Sequence, residues 1–172
     1  MISGAEAARG ALNEVRAPDI VFKDRMTLTL GGEIVELIHV GSMEHTNDMT
    51  AVYFPEQNAV FVVDYISIGR VPFQTIAGGG LDALLNSIRL VEMLDIDIAA
   101  SGHGNCGGKS DIAAYRHYLE QLRAAVSAGI AAGDSLEEMQ ASVTMAPYSD
   151  WINYANWRPL NVQGMYNMLM DQ

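Results

Sequence analysis

The sequence has one cysteine, few cations and no long apolar run, and each shortage excludes a class of protein. Cys106 is the only cysteine in 172 residues, so no internal disulfide can form. Ten Lys and Arg residues stand against 21 Asp and Glu residues, and the net charge of −11 argues against nucleic-acid and acidic-membrane partners because phosphates would be repelled. No apolar run reaches the roughly 18 residues that a transmembrane helix needs.

The remaining composition is that of a globular chain. Hydrophobic residues make up 49% of the sequence and charged residues 18%, which predicts one well-buried domain over residues 1–172. The N-terminal residues lack a basic start followed by a long apolar run, so we expect no secretory signal and a cytoplasmic location. Residues 1–16 are Ala-rich and favour a helix that ends before Pro18.

The first half of the chain carries four short strand patterns separated by turn residues. These patterns cover residues 26–30, 33–40, 50–54 and 59–63. The glycine pair Gly31 and Gly32 forms the first turn, and residues 55–58 form the last. Because the connections are short, the sequence predicts an antiparallel meander.

The second half alternates between helical and strand patterns. After an irregular segment that runs from Asp64 to Gly80, apolar residues at helical spacing predict a helix over residues 81–94. A strand follows at 96–100, then a long helix that Ser110 or Asp111 caps and Gly133 closes, and a short helix whose capping box is Ser135 with Glu138. Residues 133–172 are predicted to form a helical, aromatic-rich C-terminal extension.

Three candidate metal ligands follow three of the predicted strands. His45 follows strand 33–40, Asp64 directly follows strand 59–63, and His103 follows strand 96–100. Side chains just beyond the ends of neighbouring strands converge on one rim of a sheet, which is where α/β proteins place their sites. Two imidazoles and a carboxylate form an ordinary ligand set for zinc, and also for iron or manganese.

Four neighbouring residues are predicted to support these ligands. Gly102 and Gly104 allow the backbone to approach closely and to turn sharply around the histidine between them. Thr46 is placed to hydrogen-bond within its turn, and Asp48 either accepts a hydrogen bond from a ligand or belongs to turn chemistry alone.

Several chemistry-bearing residues have alternative interpretations. His39 lies inside a strand and His117 inside a helix, so packing or surface exposure explains both. Cys106 is either an inert thiol or a ligand in a remodelled site. The aromatic residues of the tail line a substrate pocket or form a packing patch or partner surface; they are Tyr148, Trp151, Tyr154 and Trp157.

Two sequence motifs resemble the metallo-β-lactamase superfamily over residues 18–132. Residues 41–64 read GSMEHTNDMTAVYFPEQNAVFVVD, a His-Thr turn followed by a strand, a Pro-containing turn, an apolar strand and an Asp. Residues 101–104 read SGHG, which is similar to the family's late Gly-His-Gly motif. The resemblance implies an α/β fold, the C-terminal half of an αββα sandwich with a mixed, mostly antiparallel sheet and flanking helices.

The same resemblance implies a role for each ligand. His45 would bind a first metal ion, Asp64 would bridge two ions and His103 would bind the second, with zinc as the expected metal. The family's reaction is hydrolysis of an ester, thioester or lactam by a metal-activated hydroxide. Its other ligands come from an N-terminal His-x-His-x-Asp-His motif, which this sequence lacks.

The missing motif leads to two expectations. The chain is either a metal-dependent hydrolase, whole or as a piece, or a non-catalytic homo-oligomeric module that keeps its ligand residues as a relic or as a structural metal site. Half of a sandwich leaves one apolar sheet face uncovered, so we expect either a homodimer or a complementary N-terminal half to cover it.

Overall fold

The computed structural model describes residues 18–41, 48–76 and 80–171. The predicted N-terminal helix over 1–16 and two of the predicted site residues, His45 and Thr46, lie outside these ranges.

Within the described residues, six strands form one mixed sheet in which they lie side by side in chain order. They are β1 (Arg25–Leu30), β2 (Glu33–Gly41), β3 (Met49–Phe54), β4 (Ala59–Phe61), β5 (Ile98–Ala100) and β6 (Cys106–Gly107). β1 to β4 pair antiparallel with one another, which confirms the predicted meander, whereas β4 and β5 pair in parallel. The two-residue strand β6, which pairs Cys106 with Ala100, was not predicted.

β4 is shorter than the sequence pattern predicted, and Asp64 therefore does not directly follow a strand. The strand ends at Phe61, and Val62 continues alongside β5 by donating a hydrogen bond to the Ala100 carbonyl at 2.9 Å. Val63 then has a φ of 51°, a left-handed conformation that turns the chain out of the sheet before Asp64.

The described part of the chain has four α-helices: α1 (Leu81–Glu92), α2 (Lys109–Ala132), α3 (Leu136–Ser142) and α4 (Tyr154–Met170). The predicted cap of the long helix is wrong, because α2 begins at Lys109. Asp111 instead lies within the first turn, where its carboxylate accepts a hydrogen bond from the Gly108 amide at 2.8 Å. The predicted capping box of α3 is confirmed: Ser135 accepts from the Glu138 amide at 3.3 Å.

The two faces of the sheet differ in exposure. Ala51, Tyr53, Val60 and Ala99 share one face through the strand register, and all four are buried in the core that the helices complete. The opposite face is also apolar, and among its side chains Leu28, Phe61 and Ile98 are 42%, 38% and 52% exposed. The described residues thus leave a partly open apolar face.

The C-terminal helices share the core with the sheet. Met139 of α3 and Val162 and Met165 of α4 are fully buried in the same hydrophobic cluster as the strands. Among the described helices, none is both long enough and apolar enough to span a membrane.

The amide of Asn161 on α4 joins three parts of the molecule. It is fully buried, and its Nδ2 donates to the carbonyls of Pro72 and Gln74 at 2.9 and 2.6 Å. Its Oδ1 accepts from the Tyr118 hydroxyl on α2 at 2.7 Å. One side chain therefore fastens the segment after Asp64 to two helices.

We expect Asn161→Ala to lower the free energy of unfolding by about 2–4 kcal/mol, because two buried carbonyls and a buried hydroxyl lose their partner. Urea unfolding followed by circular dichroism measures this. The control is Asn86→Ala, on an exposed site of α1, where we expect a change below about 0.5 kcal/mol. Equal losses in the two variants would contradict a structural role for the Asn161 amide.

Candidate metal site

Asp64 and His103 meet at one edge of the sheet. Asp64 Oδ1 lies 3.6 Å from His103 Nε2, although 39 positions separate the residues (103 − 64). The cause is the parallel pairing of β4 with β5, since parallel neighbours bring the segments that follow them to the same edge. The side chains are 29% and 63% exposed, so both are open to a ligand from solvent.

Gly102 makes this approach possible. Its amide donates a short hydrogen bond to the Val63 carbonyl, which holds the two segments together. A Cβ at this position would overlap Asp64 Oδ1 and lie 3.1 Å from the Val63 carbonyl oxygen. The prediction that the backbone approaches closely at Gly102 is confirmed. The atom that leaves no room for a side chain there is Asp64 Oδ1, which belongs to a candidate ligand.

Gly104, on the other side of His103, lies against the backbone of Ile68. Its φ of 114° favours glycine, and a Cβ there would lie 2.8 Å from the Ile68 carbonyl oxygen. The Asn105 amide donates to that same oxygen at 3.0 Å, and Ser101 Oγ donates to the His103 carbonyl at 2.9 Å. The turn around His103 is therefore fixed against the segment that follows Asp64.

The left-handed backbone at Val63 adds a second sign of a specialised site. β-branched residues rarely adopt a φ of 51°, and such strain persists only where the surroundings impose it. Here the Val63 carbonyl accepts the hydrogen bond from Gly102, and the carboxylate of the next residue, Asp64, lies 3.6 Å from His103 Nε2.

The geometry of the pair fits a metal ion. Two ligand atoms that bind one tetrahedral zinc at about 2.0–2.1 Å lie roughly 3.3–3.4 Å apart, close to the 3.6 Å seen here. Within the described residues, no group of three or more His, Cys, Asp or Glu side chains is arranged to hold a metal. The described part thus contains two ligands, and the predicted third, His45, lies outside it.

The other candidate residues lie elsewhere. Asp48 borders a shallow groove together with His39 and Thr50, and His39 pairs with Thr50 across β2 and β3. His117 is exposed on α2, and Cys106 is exposed on β6. Asp48 as a supporting acceptor and Cys106 as a ligand stay predictions.

The aromatic tail divides into two clusters. Tyr148 and Trp151 pack around the buried Tyr118, with ring centroids 5.0 and 5.8 Å from it, so these two have a packing role. Trp157 instead packs against Phe73, with the two ring centroids 5.0 Å apart. The guanidinium carbon of Arg70 lies 4.7 Å from the centroid of the Trp157 ring.

The segment after Asp64 is irregular, as the sequence predicted, but its apolar side chains belong to the core. Tyr65, Ile66, Ile68 and Val71 are all buried, a fact that the apolar run YISIGRV signals. The Tyr65 hydroxyl is buried without a hydrogen-bond partner among the described residues, and burial raises the pKa of Tyr65. The only other such atom in the described part is Arg70 Nε, in the same segment.

Comparisons with known proteins place this geometry in a fold. No protein-family model and no curated protein matches the sequence. The chain is similar to solved structures that include a metallo-β-lactamase from Pontibacter korlensis (22% identity, TM-score 0.55). They also include a stereoselective inverting sec-alkylsulfatase from a Pseudomonas species (19%, 0.65) and a metallo-β-lactamase family protein from Thermus thermophilus (15%, 0.54).

The chain has part of the metallo-β-lactamase fold. The matches cover 69%, 88% and 90% of this chain but only 56%, 26% and 50% of the respective structures. The chain therefore spans about half, or less, of the length of these proteins. The resemblance inferred from residues 41–64 and 101–104 is confirmed at the level of the fold.

We expect Gly102→Ala to lower the free energy of unfolding by about 2–3 kcal/mol, since the added Cβ must displace Asp64 or the Val63 carbonyl. Gly31→Ala is the control for loss of a glycine without a steric overlap: the φ of Gly31 is 63°, which Gly102 does not share, but its Cβ meets no atom within 4 Å, so we expect a loss of about 1 kcal/mol. Urea unfolding gives both values. A Gly102 variant as stable as wild type would show that Asp64 does not need this approach.

Proposed function

We propose that this chain is the C-terminal half of a metal-dependent hydrolase, with Asp64, His103 and His45 as metal ligands. The observation that carries the proposal is the 3.6 Å approach of Asp64 Oδ1 to His103 Nε2. It occurs beyond two parallel strands, on part of a fold that metallo-β-lactamase proteins share. Zinc is the metal that this ligand set favours, with iron or manganese as alternatives.

The chain's own residues would hold and orient the metal. Asp64 offers a carboxylate with access to solvent, and His103 offers Nε2 on a turn that Gly104 and Ser101 fix. The chemistry that zinc would supply when held by these residues is activation of water for attack and Lewis-acid polarisation of the bond to be hydrolysed. We propose a small ester, thioester or lactam-like molecule as the substrate. One of the similar structures is an alkylsulfatase, so we include sulfate esters among the candidate esters.

A second polypeptide segment is proposed to complete the site. In the resembled family the three ligands are shared between two ions, and the remaining ligands come from the N-terminal half. That half would also cover the open face that contains Leu28 and Phe61. We propose that this completing partner is a complementary N-terminal half or a second copy of the chain, in the cytoplasm.

The metal proposal predicts that purified protein binds zinc and that His103→Ala weakens the binding by more than about tenfold, because loss of a ligand costs at least as much as loss of a residue that orients one. The control is His117→Ala, an exposed histidine on α2, which should leave zinc affinity unchanged. Zinc competition with a chromogenic chelator measures the affinity.

The same variants test catalysis on a panel of 4-nitrophenyl esters, a thioester and a chromogenic lactam. We expect turnover that His103→Ala abolishes and His117→Ala preserves. Wild-type protein with neither zinc affinity nor His103-dependent turnover, both alone and after co-expression with a complementary N-terminal half, would overturn the hydrolase proposal.

The open sheet face favours one alternative, a non-catalytic homo-oligomeric module. Leu28, Phe61 and Ile98 expose apolar surface on the same face of the sheet, and such a face is covered in a stable protein. An isologous dimer through this face would need no metal.

The alternative predicts a dimer by light scattering at micromolar concentration, and a monomer for Phe61→Lys, since the charge would have to be buried in the interface. Leu90→Lys is a matched control: Leu90 on α1 is 40% exposed and Phe61 is 38% exposed, but Leu90 is not on the sheet. A monomeric wild type, or an undisturbed Phe61 variant, would rule out this dimer.

A further inference from the structure

Arg70 differs from every other described arginine in its partners. Four of the six described arginines pair with carboxylates, namely Arg25, Arg89, Arg116 and Arg123. Arg158 donates to the carbonyls of Gln140 and Val143. Within the described ranges Arg70 has no hydrogen-bond acceptor, and its Nε is buried.

An unpaired guanidinium is unexpected in this chain. Acidic residues outnumber Lys and Arg by 21 to 10, so a carboxylate partner is easy to supply. Burying a charged donor without an acceptor costs free energy, so the buried Nε of this half-buried arginine makes it a candidate for binding a ligand.

The position of Arg70 is fixed from two sides. Its guanidinium carbon lies 4.7 Å from the centroid of the Trp157 ring, a cation–π contact that orients the planar group. Its backbone neighbours pair with Ile152: the Val71 amide donates to the Ile152 carbonyl at 3.3 Å, and the Ile152 amide donates to the Gly69 carbonyl at 2.9 Å.

The segment that carries Arg70 also contacts the candidate metal site. It begins at Asp64, and the Ile68 carbonyl accepts from the Asn105 amide at 3.0 Å, two residues beyond His103. A Cβ at Gly69 would lie 2.9 Å from Asn105 Nδ2, so the backbone immediately before Arg70 rests on the same turn. One short segment therefore links a candidate ligand, the His103 turn and the orphaned guanidinium.

We infer that Arg70, oriented by Trp157, binds an oxyanion group of the substrate whose reactive bond lies at Asp64 and His103. Guanidinium is suited to this because its planar fork matches the oxygen atoms of a carboxylate, sulfate or phosphate. Phe73, 50% exposed and packed edge-on against Trp157, adds apolar surface beside the anion. The inference rests on the proposed hydrolase function and names its substrates as anionic.

Binding is measured first, without catalysis, by tryptophan fluorescence during titration with succinate, sulfate or phosphate. Because Trp157 contacts Arg70, we expect a saturable change with at least one anion, and Arg70→Gln should weaken it by about tenfold or more. Arg70→Lys keeps the charge but loses the fork, so we expect an intermediate affinity. Arg25→Gln removes an exposed arginine of β1 and should match wild type.

Catalysis is measured second, with two esters that share a leaving group. For 4-nitrophenyl hydrogen succinate, which is anionic, Arg70→Gln should lower kcat/KM by about 10–100-fold, mainly through KM. For neutral 4-nitrophenyl acetate the change should stay within about twofold, because no charge meets Arg70. A merely structural role would lower both to the same degree.

The outcomes separate this inference from the hydrolase proposal. Arg70-dependent anion binding without turnover of either ester, both alone and after co-expression with a complementary N-terminal half, would support the anion site and rule out the hydrolase. No saturable response of wild type to any of the three anions would overturn the anion site, as would equal affinities of wild type and a folded Arg70→Gln or Arg70→Lys variant.

Discussion

The parallel pairing of β4 (Ala59–Phe61) with β5 (Ile98–Ala100) is the constraint on which the candidate site depends. It carries Asp64 and His103 to one edge, and the short hydrogen bond between Gly102 and Val63 then closes the last gap. Only glycine at position 102 leaves room for the Asp64 carboxylate. The position of this candidate ligand therefore depends on the absence of a Cβ at Gly102. The left-handed Val63 is the conformational cost of this arrangement.

The C-terminal helices hold the other end of the same segment. Asn161 on α4 binds the carbonyls of Pro72 and Gln74, while Trp157 on the same helix contacts Arg70. The residues from Asp64 to Gln74 are thus fixed by the His103 turn at one end and by α4 at the other. Substrate-binding groups need this kind of support, because a guanidinium is specific only when its orientation is held.

The proposed function would give the open sheet face and the two-ligand site one physical explanation. Both follow if the chain is half of a two-layered sheet structure, since the second half of such a fold supplies apolar cover as well as ligands. The similar solved structures, of which this chain spans 56%, 26% and 50%, have room for that second half. Binding of that second half would then cover the apolar face and complete the metal site together.

The sequence by itself determined the order of the elements and the candidate ligands, because strand alternation, turn residues and the capping box of Ser135 and Glu138 are local signals. It did not reveal β6, the early end of β4 or the start of α2 at Lys109, which depend on pairing and on a side-chain bond to Gly108. Only the tertiary structure decided that Asp64 lies 3.6 Å from His103 and that Arg70 lacks an acceptor within the described residues. Both facts depend on which residues distant in the chain come close in space, and local sequence patterns do not encode this.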